Sequence, residues 1–384
     1  FIHNLNAKTR HKVFFNCGHW YDLKTKETGL INEDCASFWC IDREMPDFNA
    51  YNMEHPDVVE FNDKVMSIFT DDQKPHVCYA LARALGGNAL QDKLTYLITG
   101  SRDCGKSALI KACEIHLGKF PLGPVTHMDI LQVSPNSQTD AKALSMLLTQ
   151  KIDQARICTG SELRNDNYPI NGNIYKQLQG GDQITARTNH KDEITVTNNC
   201  TFFLAFNPPP GRMLPEFKPP DMVLRCKYWD PPYVFVDNPK EEKSFERKKD
   251  ESLTTCTMPN NKVRWGNAFL WLLQKAYNDK PKKELKEWTE PMNDYIRETT
   301  MSDVDLFYEQ FEFGEADEDW VPAEEIRSVV NKGINQLNPW LKKKFGNKMD
   351  LCDNFKTHKR NYEGYPNKVK CIIGIKKRPP PDPE

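Results

Sequence analysis

The eight residues from Gly100 to Ser107, GSRDCGKS, have the types and spacing of a phosphate-binding loop. Gly100 and Gly105 allow backbone conformations and close approaches that a Cβ would block, so successive N–H groups can point at phosphate oxygens. Lys106 supplies a positive charge for the β- and γ-phosphates, and the Ser107 hydroxyl is a ligand for Mg²⁺. We expect a nucleotide to contact the whole loop: Gly100, Ser101, Arg102, Asp103, Cys104, Gly105, Lys106 and Ser107.

The flanking residues have the patterns of a strand and a helix, which is the setting that such a loop needs. Residues 94–99 are β-prone, and residues 107–117 carry apolar side chains at helical spacing. From Leu94 to about Val236, β-prone runs alternate with helical patterns, which predicts an α/β core with a mainly parallel sheet. The runs read as strands are YLIT, ARICTG, ITAR, EITV, TFFLAF and YVFV.

Three polar residues beyond the loop are candidates for the chemistry of hydrolysis. Glu162 ends the run ARICTGSE, where an acid can hold Mg²⁺ and polarise water; the alternative is a surface residue at the start of a loop. Asn207 follows TFFLAF and can orient water or the γ-phosphate, or it simply starts a turn before proline. Arg225 can reach a neighbouring subunit's nucleotide as an arginine finger, or it is an ordinary surface base.

The string KQLQGGDQITAR, residues 176–187, predicts a helix, a turn and a strand. The six residues that follow separate two β-prone runs and read as the tip of a hairpin that carries His190 and Lys191. A cationic tip on a rigid hairpin can follow a nucleic-acid backbone, and a solvated turn fits the string equally well.

Charge is distributed unevenly along the 384 residues, although the net charge of −2 excludes a uniformly basic nucleic-acid binder. Residues 302–320 hold eight acids and no Lys or Arg, whereas residues 322–378 hold fourteen Lys or Arg and five acids. We expect a basic terminal module after an acidic connector. Its helical patterns, followed by a strand pair with a basic tip, predict a winged-helix arrangement.

The twelve cysteines are scattered singly, which favours free thiols in a reducing compartment. A zinc site from Cys17, His19, Cys35 and Cys40 is a weaker alternative, because its spacing is not a standard one. No apolar run has membrane-spanning length, and the first residues do not have a signal-peptide pattern. The sequence therefore predicts a soluble intracellular protein without a membrane partner, and its start at Phe rather than Met suggests a piece of a longer chain.

Four regions follow from these patterns. We expect a strand-rich lead-in (1–55), a helical collar region for oligomerisation (56–92), an ATPase core with following helices (93–300), and the connector with the basic module (301–384). Within the third region, residues 238–261 are polar, charged and without period, which predicts an excursion or a mobile loop.

Taken in order, GSRDCGKS, the run ending in Ser161-Glu162, KQLQGGDQITAR, FFLAFN and Arg225 resemble the motifs of superfamily 3 helicases. The resemblance is nearest to the helicase half of poxvirus-type primase-helicases of large DNA viruses, and it extends over roughly residues 14–378. It implies an AAA+-like P-loop ATPase core, a strand-rich and helical lead-in, and a winged-helix-like C-terminal domain.

The resemblance also implies roles for individual residues. Lys106 and Ser107 match the ligands of phosphate and Mg²⁺, and Glu162 matches the acid that holds Mg²⁺ and water. Asn207 matches the sensor asparagine, and Arg225 is the finger supplied in trans. The motif leading to the DNA-contacting hairpin and its tip matches Lys176, Asp182, Arg187, His190 and Lys191.

At the level of function, the resemblance implies a hexameric ring that uses ATP and Mg²⁺ to move 3′ to 5′ on single-stranded DNA. Such a ring unwinds duplex during replication of a virus or mobile element, here at a cytoplasmic site in the host cell, and a primase domain often precedes it. Two features depart from the family: Asp103-Cys104 in the loop, and one acid in place of a pair after the second strand. A P-loop ATPase that loads, packages or remodels DNA or protein is the alternative, and a nucleotide-ordered DNA-binding module is a third reading.

Overall fold

The computed structural model describes residues 9–37, 40–118, 122–124, 155–161, 172–186, 194–205, 225–282, 284–285, 303–313, 319–330, 337–345, 357–360, 368–373 and 375–379. The chain divides into two compact units, Phe1–Asn293 and Asp294–Glu384. None of the helices in the described ranges has both the length and the apolar character needed to cross a bilayer.

The first unit begins with a small antiparallel sheet and a group of helices. Strands β1 (Lys12–Phe14), β2 (His19–Asp22) and β3 (Thr28–Leu30) pair in that order. Helices α1 (Pro56–Lys64), α2 (Gln73–Leu85) and α3 (Ala89–Asp92) follow, with single 3₁₀ turns at Phe48–Ala50 and Met66–Ile68. Pro56 suits the first turn of α1 because the missing N–H has no intrahelical partner there. The predicted helical run before the loop is therefore present.

A five-stranded parallel sheet forms the centre of the first unit, as the alternating patterns predicted. In chain order its region contains β4 (Thr95–Ile98), α4 (Lys106–Leu117), β5 (Leu122–Pro124), β6 (Ile157–Ser161), α5 (Gly172–Gly180), β7 (Gln183–Ala186), β8 (Ile194–Thr197), β9 (Thr201–Ala205) and β10 (Cys226–Trp229). The spatial order is β10-β4-β9-β6-β5. All residues of β4 and β9 are buried, which explains their continuous apolar runs.

Two strands after the core differ from the sequence prediction. The run YVFV contains β11 (Val234–Val236), which pairs in parallel with β12 (Glu246–Lys248) and lies outside the main sheet. The main sheet instead contains two strands that no sequence pattern indicated, namely β5 and β10. Lys227 interrupts the short apolar run of β10, so the burial of this strand depends on its neighbours rather than on a local signal.

Residues 238–261, predicted to form an excursion or a mobile loop, lie outside the main sheet as an excursion and contain ordered elements. The segment contains β12, a π-helical turn at Leu253–Thr257 and a helical turn at Met258–Asn260, and it leads into α6 (Lys262–Tyr277). Backbone and side-chain hydrogen bonds stabilise it: Lys249 donates its N–H to Val236 O over 2.9 Å, and Lys240 donates to the Glu246 carboxylate over 2.9 Å. Because these hydrogen bonds come from backbone N–H groups, they do not require apolar residues at regular spacing, and the sequence shows no such spacing.

Helix α6 joins the lead-in helices to the helix that follows the loop. It contacts α1, α2 and α4, and its Phe269 ring stacks on Phe61 of α1 at 4.8 Å between centroids. The buried Arg43 guanidinium donates to the carbonyls of His116 in α4 and Gly266 in α6, the latter over 2.8 Å. Arg43 therefore satisfies a carbonyl at the end of α4 that has no intrahelical partner.

The predicted hairpin is present in its two arms. Strands β7 and β8 pair antiparallel from Gln183↔Thr197 to Ala186↔Ile194. At its base, Asn198 donates to the carbonyls of Leu178 and Cys200 over 2.9 and 3.2 Å. Residues 188–193, the predicted tip, lie outside the described residues, as does Arg187 before them.

The second unit has its own small core. Its elements are α7 (Asp303–Gln310), β13 (Phe311–Phe313), β14 (Trp320–Pro322), α8 (Ala323–Val330), α9 (Leu337–Phe345), β15 (Thr357–Arg360), β16 (Val369–Ile373) and β17 (Ile375–Lys377). Strands β14, β16 and β15 form an antiparallel sheet in that order, and β13 pairs with β17. The helices and the following strand pair agree with the predicted order of elements.

His116 links the stability of the first unit to pH. Its side chain is fully buried beside Phe61 and Trp265, and burial lowers its pKa from 6.5 to about 4. The folded state therefore favours the neutral imidazole, whereas the unfolded chain binds a proton below pH 6.5. As the pH falls from 7 to 4, we expect the shifted pKa of His116 to lower the free energy of unfolding by about 3 kcal/mol.

Urea unfolding at several pH values measures this effect. His116→Phe removes the titrating group and should flatten the pH dependence between 6.5 and 4, whatever its effect on absolute stability. His19→Phe, at a partly exposed position, is the control and should keep the slope of the parent chain. Equal slopes for His116→Phe and the parent would contradict the assignment.

Candidate nucleotide-binding site

The loop lies at the carboxyl edge of the parallel sheet, between β4 and α4. Thr99 follows β4 and donates its N–H to Trp229 O over 2.8 Å, so the start of the loop is fixed to the neighbouring strand β10. Helix α4 begins at Lys106, directly after the loop. Its unpaired N–H groups and positive dipole end therefore face the space that the loop encloses, which is a favourable place for a phosphate.

Both loop glycines are required by the backbone and by contacts. Gly100 has φ +122° and Gly105 has φ +89°. A Cβ on Gly105 would lie 2.3 Å from Ile68 Cγ2, and a Cβ on Gly100 would lie 3.0 Å from Asp230 Oδ1. Asp103 also has a left-handed φ of +61°, and its carbonyl accepts the N–H of Phe235 over 2.9 Å. The curvature of the loop is thus built into the surrounding fold.

The Lys106 side chain is buried inside the loop. Its ammonium donates to Gly100 O over 3.0 Å, to Ser101 O over 2.9 Å and to Cys104 Sγ over 3.2 Å. These three acceptors match its three donors, and phosphate oxygens can replace them. Ser107, in the first turn of α4, is exposed, as a ligand for a metal bound beside the phosphates must be.

Asp230 is a residue of this site that the sequence did not indicate. It follows β10 at the carboxyl edge, and its carboxylate approaches Gly100. Burial raises the pKa of Asp230, and the positive charge of Lys106 opposes that rise. An acid directly after a strand was the signal, and it was missed because β10 itself was not predicted.

Glu162 and Asn207 lie outside the described residues, but the strands that precede them are well placed. Ser161 ends β6 in register with Ala205 of β9, and Ala205 is in register with Ile98 of β4. The carboxyl ends of these three neighbouring strands therefore meet at the edge that carries the loop.

Arg225 lies at the opposite edge of the same sheet. It precedes β10, and its carbonyl accepts the N–H of Thr95, the first residue of β4, over 2.9 Å. The four residues of β10 separate Arg225 from the carboxyl edge, a span of about 13 Å at roughly 3.3 Å per residue. The structure therefore does not bring Arg225 to the loop of its own chain.

The predicted DNA-contacting motif also belongs to the amino edge. Lys176 lies in α5, and Gln179 of the same helix donates to Thr95 Oγ1 over 2.7 Å. Asp182 follows α5 and is exposed. Arg187, His190 and Lys191 lie outside the described residues. The nucleotide loop and the hairpin arms are thus at opposite ends of β4.

A cavity of about 820 Å³ opens beside the loop. Its walls are residues 102–108, the end of α1 with the following turn (63–64 and 67–68), Phe235, and residues 247–251 with 253–254. This volume suits a ligand of nucleotide size. The segment 238–261 therefore forms one wall of the candidate site.

The lead-in does not form a metal centre in the described ranges. No group of three or more His, Cys, Asp or Glu residues there is placed to hold a metal ion. Cys35 Sγ accepts a hydrogen bond from Lys12 over 3.2 Å, and His19 Nδ1 lies 3.1 Å from Cys17 O. The described cysteines are free thiols, in agreement with the scattered pattern.

Comparison with known proteins adds one sequence relative and two distant structures. No family model matches the chain. The chain is 28% identical over 263 residues to "Putative helicase V13" of the Sputnik virophage, a match that takes in 67% of this chain and 32% of that protein. The chain thus spans about a third of the length of that relative.

Two apo structures of the NrS-1 C-terminal region are similar to the chain. One has a TM-score of 0.43 at 12% identity and covers 94% of this chain and 84% of that one. The other has a TM-score of 0.40 at 13% identity and covers 84% and 76%.

The need for glycine at position 105 can be tested by substituting it with alanine. The same substitution at Gly118, at the other end of α4, is the control. Both glycines have a left-handed φ, +89° and +81°, but no atom lies within 4 Å of a Cβ on Gly118. Gly118 also has ψ −179°, a conformation nearly restricted to glycine, so Gly118→Ala should cost about 3 kcal/mol of backbone strain and leave nucleotide binding intact. Gly105→Ala should also displace Ile68 and abolish the rise in melting temperature that ATP with Mg²⁺ produces. Unchanged nucleotide stabilisation in Gly105→Ala would contradict this geometry.

Proposed function

We propose that this chain is an ATP-dependent ring helicase of the superfamily 3 type, which moves 3′ to 5′ on single-stranded DNA during replication of a virus or mobile element. The observation that carries the proposal is the Lys106 ammonium, held inside a glycine loop between a buried parallel strand and a helix N-terminus. The similarity to the virophage relative supports the helicase part of the proposal.

Hydrolysis in this proposal depends on residues from three adjacent strand ends. The loop N–H groups and Lys106 bind the phosphates, and Ser107 and Glu162 hold Mg²⁺, which neutralises phosphate charge when bound. Asn207 orients the attacking water beside the γ-phosphate. The register of β6, β9 and β4 supports this assignment, because their carboxyl ends share one edge with the loop. Asp230 follows β10, on the other side of β4, where its negative charge interacts with the positive charge of Lys106.

The proposed ring completes each active site from a neighbouring subunit. Arg225 acts as the finger in trans, because it lies at the edge of the sheet away from its own loop. An arginine there can stabilise charge on a nucleotide bound to the adjacent subunit. Six subunits of this kind enclose a single strand of DNA, in line with the resemblance to hexameric helicases.

DNA contact in the proposal comes from the hairpin and from the second unit. The β7–β8 arms rise from the amino edge, and Asn198 ties their base to α5 and to the start of β9. Lys176, Arg187, His190 and Lys191 follow the DNA backbone. The order of helices and strands in the second unit supports a winged helix, and on α9 Lys343 and Lys344 are exposed. Movement at the nucleotide edge reaches the hairpin through β4 and β9.

The central test compares two lysines of α4. Lys106→Ala removes the phosphate ligand, and we expect ATP hydrolysis stimulated by single-stranded DNA and displacement of a forked duplex to fall by roughly a hundredfold. Lys111→Ala, an exposed position that pairs with Glu114 over 3.1 Å, should change neither. Strand displacement that survives in Lys106→Ala would refute the mechanism. Hydrolysis without displacement in the parent chain would favour the ATPase that loads, packages or remodels.

Mixed assemblies test the trans role of Arg225. Arg225→Ala chains and Lys106→Ala chains are each expected to be inactive, because each lacks one half of a shared site. Mixing them in equal amounts should restore a part of the hydrolysis, since some interfaces then pair an intact loop with an intact arginine. No recovery at any ratio, with rings still visible by particle imaging, would place Arg225 outside the shared site.

A further inference from the structure

We propose that Lys249 is a second cationic ligand for the phosphates of the nucleotide, supplied by the same chain from the segment that the sequence left without a role. This inference rests on the proposed binding of a nucleoside triphosphate at the loop. Lys249 follows β12 and lines the same cavity as Lys106.

The cavity carries a surplus of positive charge. Six of its lining residues are cationic and four are acidic. The cationic ones are Lys64, Arg102, Lys106, Arg247, Lys248 and Lys249, and the acidic ones are Asp63, Asp103, Asp250 and Glu251. A concave surface with this balance attracts a polyanion more strongly than the single loop lysine does.

The backbone of Lys249 is held at a fixed place relative to the loop. Its N–H donates to Val236 O over 2.9 Å, which extends the parallel pairing of β11 and β12. Phe235, the middle residue of β11, donates its N–H to Asp103 O over 2.9 Å. Two backbone hydrogen bonds and one strand pair thus connect Lys249 to the phosphate loop.

The residue after Lys249 fixes the segment from the other side. Asp250 Oδ2 lies 3.6 Å from Lys64 Nζ at the end of α1. Asp250 also accepts hydrogen bonds from the N–H and hydroxyl of Ser252, over 3.1 and 2.8 Å. Lys249 therefore lies between two anchored points, so a contact with a ligand costs little ordering of the backbone.

The other cations of this wall already have partners. Arg247 lies over the Tyr233 ring at 4.1 Å and donates to Ser244 O over 2.6 Å. Lys248 donates to Asp237 O, and Lys64 pairs with Asp250. Within the described part of the chain, the Lys249 ammonium has no hydrogen bond or ion pair. It is the charge on this wall that is available to a ligand.

The remaining walls suit the other parts of a nucleotide. Ile68, Phe235 and Leu253 line the cavity with apolar side chains, which match a base and a sugar better than a phosphate. Lys106 serves the phosphates from the loop side. Lys249 then serves the same phosphate chain from the outer side, so that the anion lies between two ammonium groups.

Substitutions at position 249 in the full chain test the charge directly, with ATP and Mg²⁺ as the probe in calorimetric titrations. Lys249→Gln removes the charge and leaves a polar side chain that is one atom shorter, and we expect ATP to bind about tenfold more weakly. Lys249→Arg keeps the charge and should bind within about threefold of the parent. Lys243→Gln, six residues earlier and outside the cavity lining, with its ammonium paired to Glu246 over 2.9 Å, is the control and should stay within about twofold.

Each outcome decides the proposal. Parent affinity in Lys249→Gln would overturn it, and so would equal losses in Lys249→Gln and Lys249→Arg, because the side chain would then act by shape. An equal loss in Lys243→Gln would also overturn it, since the effect would then belong to the general positive charge of the segment. Failure of the underlying nucleotide site looks different: the parent chain would not bind ATP, or Lys106→Ala would bind it as well as the parent.

Discussion

The first unit depends on the hydrogen bonds between the buried Arg156 guanidinium and backbone carbonyls. Arg156 is fully buried directly before β6, and it donates to the carbonyls of Lys12, Leu85 and Thr9, the last two over 2.7 and 2.9 Å. Burial lowers the pKa of Arg156 to about 10, because the charged guanidinium is less stable away from water. Backbone carbonyls of the lead-in and of α2 offset that cost, so the lead-in, the helices and the sheet form one cooperative body. The carboxyl end of β6 is aligned with the loop because its amino end is fixed in this way.

In the proposed helicase, the sheet separates the nucleotide site from the DNA-contacting hairpin, which lie at its two edges. The phosphate loop, Asp230 and the ends of β6 and β9 lie at the carboxyl edge, whereas Arg225 and the base of the hairpin lie at the amino edge. Strands β4 and β9 are buried along their whole length and pair directly, so they are stiff connections between the edges. In the proposed helicase, a change at the phosphates reaches DNA through these strands without a long flexible path.

Much of this arrangement could be predicted from the sequence, because the informative features are local. The strand, loop and helix around Lys106, the buried runs of β4, β6 and β9, and the arms of the hairpin each have their own pattern. Strand β10 was missed because Lys227 interrupts it and because its burial comes from β4 beside it. Asp230 was missed with it. The sequence indicated no element within 238–261, because the segment is ordered by hydrogen bonds of Lys240 and Lys249, which leave no hydrophobic period. The placement of β9 between β4 and β6 is a long-range pairing that no local pattern contains.

The contact beneath Gly105 has a consequence for how this fold can change during evolution. Ile68 belongs to a turn far earlier in the chain, yet it fills the space where a side chain at position 105 would stand, and Phe235 lies 3.5 Å from the same point. Positions 68, 105 and 235 therefore share one fixed volume, and substitutions at them should be selected together rather than singly. If the loop of another protein replaced residues 100–107, it would not pack correctly unless the residues at positions 68 and 235 were replaced with it.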